Sequence, residues 1–171
     1  MKLLIAYATK TGTTGDCAEK LAAHFANHEV IMANLEKETP ELADFDAAVI
    51  GSNVRAGKIN KAVKQFLTAN ESALLEKPFG LYLCCCMSDG AEDYFAKNIS
   101  KTLLEGSRAN LCFGGEVRME KQKGIDKLIM KIAMHAVASN NRDEDRDTDI
   151  PLPAILPENI SRMADAIKSS F

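Results

Sequence analysis

The chain has 171 residues, 46% of them hydrophobic, which suffices to bury one sizeable core without disulfide or metal staples. A formal charge of -3 and an isoelectric point near 5.7 exclude the global electrostatic attraction on which nucleic-acid binding rests, so no nucleic-acid partner is expected. The five cysteines (Cys17, Cys84, Cys85, Cys86, Cys112) are odd in number and lack metal-ligand spacing, so they read as thiols of a reducing compartment, with neither disulfide nor metal.

Met1 and Lys2 lead straight into an apolar, strand-like run too short for a signal peptide, and the longest apolar run, 81–87, is well short of a membrane span. A cytoplasmic protein is expected. Strand-like runs follow at 2–8, 30–34, 47–51, 79–86 and 111–117, several of them apolar on both faces, as in a parallel sheet covered by helices on each side. Between the second and third lies only 35–46, with Pro40, read as a short helical turn or irregular crossover.

Four helices are expected from apolar residues three and four apart. The first, 14–28, carries Cys17, Leu21, Ala22 and Phe25; the second, 58–72, carries Ala62, Val63, Phe66 and Leu67. The third, 91–104, repeats the device with Phe95, Ile99 and Leu103. The last, 157–169, begins on Pro157 and buries Ile160, Met163, Ala164 and Ile167. Strands alternating with helices imply a doubly wound α/β sheet whose ligand sits at the carboxyl ends of the strands. The chain reads as a single domain, 1–171, with an insertion at 118–153 that contains a helix-like segment at 123–138 and an almost wholly polar tail at 140–149.

The first strand runs into Thr9-Lys10-Thr11-Gly12-Thr13-Thr14 just before the first helix. A helix N-terminus offers unpaired backbone N–H groups and the positive end of a dipole, the four threonines add hydroxyls, and Gly12 lets the backbone come close to a ligand. A phosphate monoester fits such a cradle, although an ordinary threonine-rich cap would use the same residues. The Walker dipeptide Gly-Lys-Ser/Thr and the G-x-G-x-x-G fingerprint are both missing.

In these residues the sequence resembles the flavodoxin family. Tyr7, Thr9, Gly12 and Thr14, with Ala18 on the helix, match the family's aromatic, threonine, small-residue and threonine pattern; Ala6 and Glu19 replace its aliphatic positions. The resemblance implies a flavodoxin-like α/β fold with a five-stranded parallel sheet in the order 2-1-3-4-5. It also implies FMN as cofactor, its monophosphate held by Thr9, Lys10, Thr11, Gly12, Thr13 and Thr14. The loops after the third and fourth strands, Ser52, Asn53, Val54, Arg55, Ala56 and Gly57 and then Cys86, Met87, Ser88, Asp89 and Gly90, would hold the flavin ring. Neither loop supplies the aromatic residue that flavodoxins commonly stack on the ring. Arg55 is the candidate for tuning the flavin, or else a solvated loop arginine. Cys84-Cys85-Cys86 reads as strand core with Cys85 on the face opposite its neighbours, leaving only Cys86 placed to touch flavin.

A second resemblance covers most of the chain. The I-G-x-x-x-R-x-G pattern at 50–57 and a lysine-rich helix after the fifth strand are similar to the bacterial menaquinone-dependent protoporphyrinogen dehydrogenases. In that family the insertion is associated with substrate or membrane engagement. Here Ile125, Leu128, Ile129, Ile132, Met134 and Val137 form an apolar surface flanked by Arg118, Lys121, Lys123, Lys127 and Lys131. Such a helix can lie peripherally on the inner face of the cell membrane through 121–138, bind an acidic partner, cover a substrate, or simply pack on its own domain.

Two functions remain open. One is an FMN oxidoreductase passing electrons to a quinone or similar acceptor, with porphyrinogen as the implied substrate. The other is a non-enzymatic electron shuttle between redox proteins. A flavin-free domain that keeps only the fold is a third reading. No general acid or base stands out, so no catalytic residue is assigned.

Overall fold

The structure, a computed structural model, describes residues 1–85, 90–116 and 154–171. The insertion, with its helix-like segment and membrane-facing reading, and the ring-loop residues Cys86, Met87, Ser88 and Asp89 lie outside the described residues.

Strand β1 (Lys2–Ala8) leads to helix α1 (Thr13–Ala23), β2 (Glu29–Asn34), a 3-10 turn (Leu42–Asp44), β3 (Ala47–Arg55) and β4 (Lys58–Ile59). Helices α2 (Lys61–Ala69) and α3 (Glu71–Leu75), β5 (Phe79–Cys84), helices α4 (Ala91–Asn98) and α5 (Lys101–Gly106), β6 (Asn110–Cys112) and α6 (Pro157–Lys168) follow. The parallel strands lie in the order β2-β1-β3-β5-β6, and β4 pairs antiparallel with the end of β3. Apart from that short hairpin strand, this is the doubly wound order expected from the sequence.

Period-two alternation in the strands divides the core between the two faces of the sheet. Leu3, Ile5, Ala47, Val49, Tyr82 and Cys84 pack against α1, the turn after it and α6 through Cys17, Leu21, Phe25, Ile160, Met163 and Ile167. Leu4, Ala6, Ala48, Ile50, Leu81 and Leu83 pack against the other helices through Val63, Phe66, Leu74, Phe95 and Leu103. Both faces are therefore dry, as the doubly apolar strand runs require.

Several expectations need correction, and the first helix, expected to run to 28, ends at Ala23. Residues 52–55, read as loop, extend β3, which turns back through Ala56 and Gly57 (φ 48° and 74°) into β4. The second helix therefore starts at Lys61 and not at Lys58, capped by Asn60, whose side chain accepts the Ala62 N–H at 3.0 Å. It also breaks at Asn70, and the third predicted helix breaks at Ile99, where Ser100 caps α5 by accepting the Leu103 N–H. Apolar periodicity runs smoothly across both breaks, which are marked instead by the Asn70 side chain donating to the Phe66 carbonyl at the end of α2 and by the Ser100 cap. The fourth and fifth strands are shorter than expected, ending at Cys84 and Cys112.

Among the described residues no helix is long and apolar enough to cross a membrane.

Candidate functional site

The carboxyl ends of β1, β3 and β5 lie side by side. Ala8 is paired with Ser52, and Asn53 with Cys84, so the segment 9–14 emerges next to the end of β3. Gly12 sits at φ 97°, a left-handed conformation open to glycine at little cost, and it is the residue from which α1 starts. Its N–H donates to Thr9 Oγ1 at 3.0 Å, closing the loop into a tight turn. The amides of Thr13, Thr14 and Gly15 then form the first helical turn, where N–H groups have no intrahelical acceptor.

Two side chains in this turn are unusual. Thr13 and Thr14 are 5% and 0% exposed, and the buried hydroxyl oxygen of Thr13 has no hydrogen-bond partner. The Thr14 hydroxyl has only the Cys84 thiol, a weak partner, beside it. A buried hydroxyl left unsatisfied costs about 1–3 kcal/mol, a cost that Thr13 carries at the helix N-terminus.

Beneath the loop, Tyr82 of β5 fixes the start of α1. Its ring is stacked on Phe113 (centroids 4.3 Å apart, planes 13° apart) and its hydroxyl donates to the Thr14 carbonyl at 3.0 Å. Complete burial pushes the phenol well above its ordinary pKa, so it stays protonated and remains a donor. The ring passes directly over Gly51, where a Cβ atom would coincide with it.

Lys10 pairs with Glu36, Nζ to Oε1 2.9 Å. Burial alone would raise the Glu36 carboxyl, but hydrogen bonds from Lys10 and Asn60 and the nearby ammonium charge outweigh it and hold the group below the usual carboxylate range. Asn60 ties this corner together. It caps α2, donates from Nδ2 to Glu36 Oε1 (3.2 Å) and Asn53 Oδ1 (3.4 Å), and its backbone N–H donates to Ser52 Oγ (2.9 Å). The result is a cleft of about 520 Å³ lined by Lys10, Arg55, Lys58 and Lys61 against the single acid Glu36. Asn60→Ala is expected to cost about 1–2 kcal/mol through the lost cap alone. A urea midpoint that falls accordingly, with Asn60→Asp in between, is the result to look for.

The other predicted residues are distributed less simply. Ser52 and Asn53 stand beside the loop at 9–14, and Val54 and Arg55 pair across the hairpin with Ile59 and Lys58. Ala56 and Gly57 form the hairpin tip, which Asn98 of α4 holds by donating from Nδ2 to the Gly57 carbonyl at 2.9 Å. Gly90 caps α4 at an ordinary φ of -102°, and a Cβ there would meet nothing among the described residues. Among the described residues no cluster of three or more His, Cys, Asp or Glu could hold a metal. Sequence reasoning missed Tyr82, Glu36 and Asn60. An Asn just before a helical run was a legible cap signal; nothing in an apolar strand singles out the tyrosine.

A family model described as a flavodoxin domain matches residues 4–145. Protoporphyrinogen IX dehydrogenase [quinone] of Escherichia coli K12 is 25% identical over 143 residues, 78% of this chain and 79% of the relative. Among solved structures, a short-chain flavodoxin associated with a bacterial microcompartment superposes with a TM-score of 0.57 at 14% identity, covering 100% of this chain and 99% of the other. Fusobacterium nucleatum flavodoxin bound to flavin mononucleotide gives 0.56 at 14% identity over 99% and 98%. With the family model spanning most of the sheet and the strand order agreeing, this chain belongs to the flavodoxin domain family.

Proposed function

We propose that the chain binds FMN at the carboxyl edge of its sheet and works as an electron-transfer flavoprotein, acting as an oxidoreductase that takes electrons from a porphyrinogen-like substrate and delivers them to a quinone. The observation that carries the FMN reading is the buried, unsatisfied Thr13 hydroxyl beside Thr14 at the N-terminus of α1. A monoester phosphate accepts from such hydroxyls and from the first-turn amides, and the helix dipole favours its charge. Thr9 and Gly12 shape the turn, Ser52 and Asn53 adjoin it, and Lys10 with Arg55 supplies positive charge at its border. Cys86, Met87, Ser88, Asp89 and Gly90 are the proposed second wall of the ring site.

When bound, FMN supplies the redox chemistry; the protein orients it and adjusts its electrostatics. No acid or base from this chain is assigned to the reaction. The oxidoreductase reading is supported by the 25% identity to the E. coli dehydrogenase over comparable lengths. The simpler reading, a shuttle between redox proteins, is favoured by the likeness in fold to flavodoxins.

Purified protein should be yellow, or should gain bound flavin absorbance on incubation with FMN; a colourless protein that takes up none would end the flavin reading. The holoprotein, mixed anaerobically with protoporphyrinogen and a menaquinone analogue, should then show substrate-dependent bleaching of the flavin and quinone reduction. Flavin binding without bleaching would leave the shuttle.

A further inference from the structure

Cys84, the last residue of β5, and Cys85 just after it face opposite sides of the sheet, and each meets a second cysteine there. Cys84 faces α1 and hydrogen-bonds with Cys17; that contact, with burial, pushes its thiol well above the ordinary range. A thiol so placed stays protonated and inert, a core residue as the sequence suggested.

Cys85 faces the other way, toward Ala91 of α4 and Cys112 at the end of β6. The two sulfurs are 3.4 Å apart. Gly114 organises both of them. Its N–H donates to Cys112 Sγ at 3.3 Å, and its carbonyl accepts the Cys85 N–H at 3.0 Å. This requires the left-handed backbone (φ 75°) that Gly114 adopts. The pair sits at the carboxyl ends of adjacent parallel strands, 8% and 7% exposed, near the rim of the sheet. Bringing the sulfurs from 3.4 Å to the roughly 2.05 Å of a disulfide needs a closure of roughly 1.4 Å.

We propose that Cys85 and Cys112 are a redox-active pair that cycles between dithiol and disulfide by exchange with a low-molecular-weight disulfide. Cys112, its proton released to solvent, attacks one sulfur of the small disulfide. A mixed disulfide forms at Cys112, the small disulfide's own S–S bond breaks, and one small thiolate leaves and takes up a proton. Cys85 then loses its proton and attacks Cys112 Sγ. The Cys85–Cys112 bond forms and the second small thiolate departs, also to be protonated. Two protein thiols are oxidised and one small disulfide is reduced to two thiols.

The assignment of roles follows from the hydrogen bonds. Cys112 accepts from the Cys85 thiol and, against the opposing effect of burial, from the backbone at Gly114 and Cys85; together they bring it down to about 7. Cys112 is therefore the attacking sulfur and Cys85 the resolving one.

The test uses the full chain, reduced and freed of reductant, then equilibrated over a range of oxidised-to-reduced glutathione ratios with and without FMN. Remaining thiols are alkylated and the peptides mapped by mass. Two of the five thiols should disappear together, linked as Cys85–Cys112, and return in excess reduced glutathione, with or without FMN. Cys85→Ser should stop at a glutathione adduct on Cys112. Cys112→Ser should lose no thiol pair, and Cys17→Ser, Cys84→Ser or Cys86→Ser should leave the Cys85–Cys112 link intact. A link through any other cysteine, five thiols unchanged, or a wild-type adduct that never resolves would overturn the proposal. A second readout needs no variant: Cys112 alkylation by iodoacetamide in the reduced wild-type chain should rise with pH through about 7. Cys112 as unreactive as Cys84 across neutral pH would overturn it equally.

Discussion

Gly51→Ala is expected to damage the sheet core severely, lowering stability by about 2–4 kcal/mol. A Cβ at this position would coincide with the ring of Tyr82, and that ring has nowhere easy to go. It is fully buried, stacked on Phe113, and bound through its hydroxyl to the Thr14 carbonyl. Overpacking a rigid core site costs about 1–3 kcal/mol, and pulling the phenol off its acceptor adds about 1 kcal/mol. The urea midpoint should fall with the slope of the transition unchanged. Tyr82→Phe isolates the hydrogen bond and should cost about 1 kcal/mol. In a Tyr82→Leu background the cost of Gly51→Ala should shrink sharply, because the smaller side chain opens space for the new methyl. Additive effects in that double-mutant cycle would show that the clash lies elsewhere.

Thr13→Val should separate ligand binding from folding, with effects of opposite sign. The hydroxyl is buried and has no hydrogen-bond partner, so an apolar group of the same shape should leave the unliganded protein as stable as before or about 1 kcal/mol more stable. A hydrogen bond to a phosphate is charge-assisted and contributes about 1.5–3 kcal/mol, which corresponds to a loss of about 10- to 150-fold in FMN affinity. Fluorescence titration with FMN and thermal melting of the unliganded protein measure the two quantities separately. An unaltered FMN affinity would remove Thr13 from the phosphate site. Lost stability in the unliganded protein would mean that the hydroxyl has a structural partner after all.

Much of the fold was legible because burial imposes simple periods on the sequence. The doubly apolar run at 2–8 appears as β1 with those limits, and the final helix was placed to within one residue by Pro157 and its apolar stripe. The breaks at Asn70 and Ile99 were not legible from apolar periodicity, because short consecutive helices can share one face. Nor was the β3–β4 hairpin. A polar strand end facing the sheet edge has the composition of a loop, so residues 52–57 carried a loop signal whether or not they paired.

For the candidate site, the spacing of Thr9, Gly12 and Thr14 between a strand and a helix was enough to mark the turn and the anion that would suit it, since a helix N-terminus has the same unpaired amides in any fold. Tertiary structure alone decided which hydroxyls are left without a partner. It also decided that Lys10 turns to Glu36, and that Tyr82 pins the loop from below while forbidding a side chain at Gly51. The cysteines show the same division. Strand alternation by itself placed Cys84 and Cys85 on opposite faces, but the partner each meets there depends on residues 27 positions or more away in the chain, brought close by the parallel ladder and by α1. Local sequence encodes period and backbone conformation. Distances between groups remote in the chain, and the reactivity that depends on them, exist only once the sheet has closed.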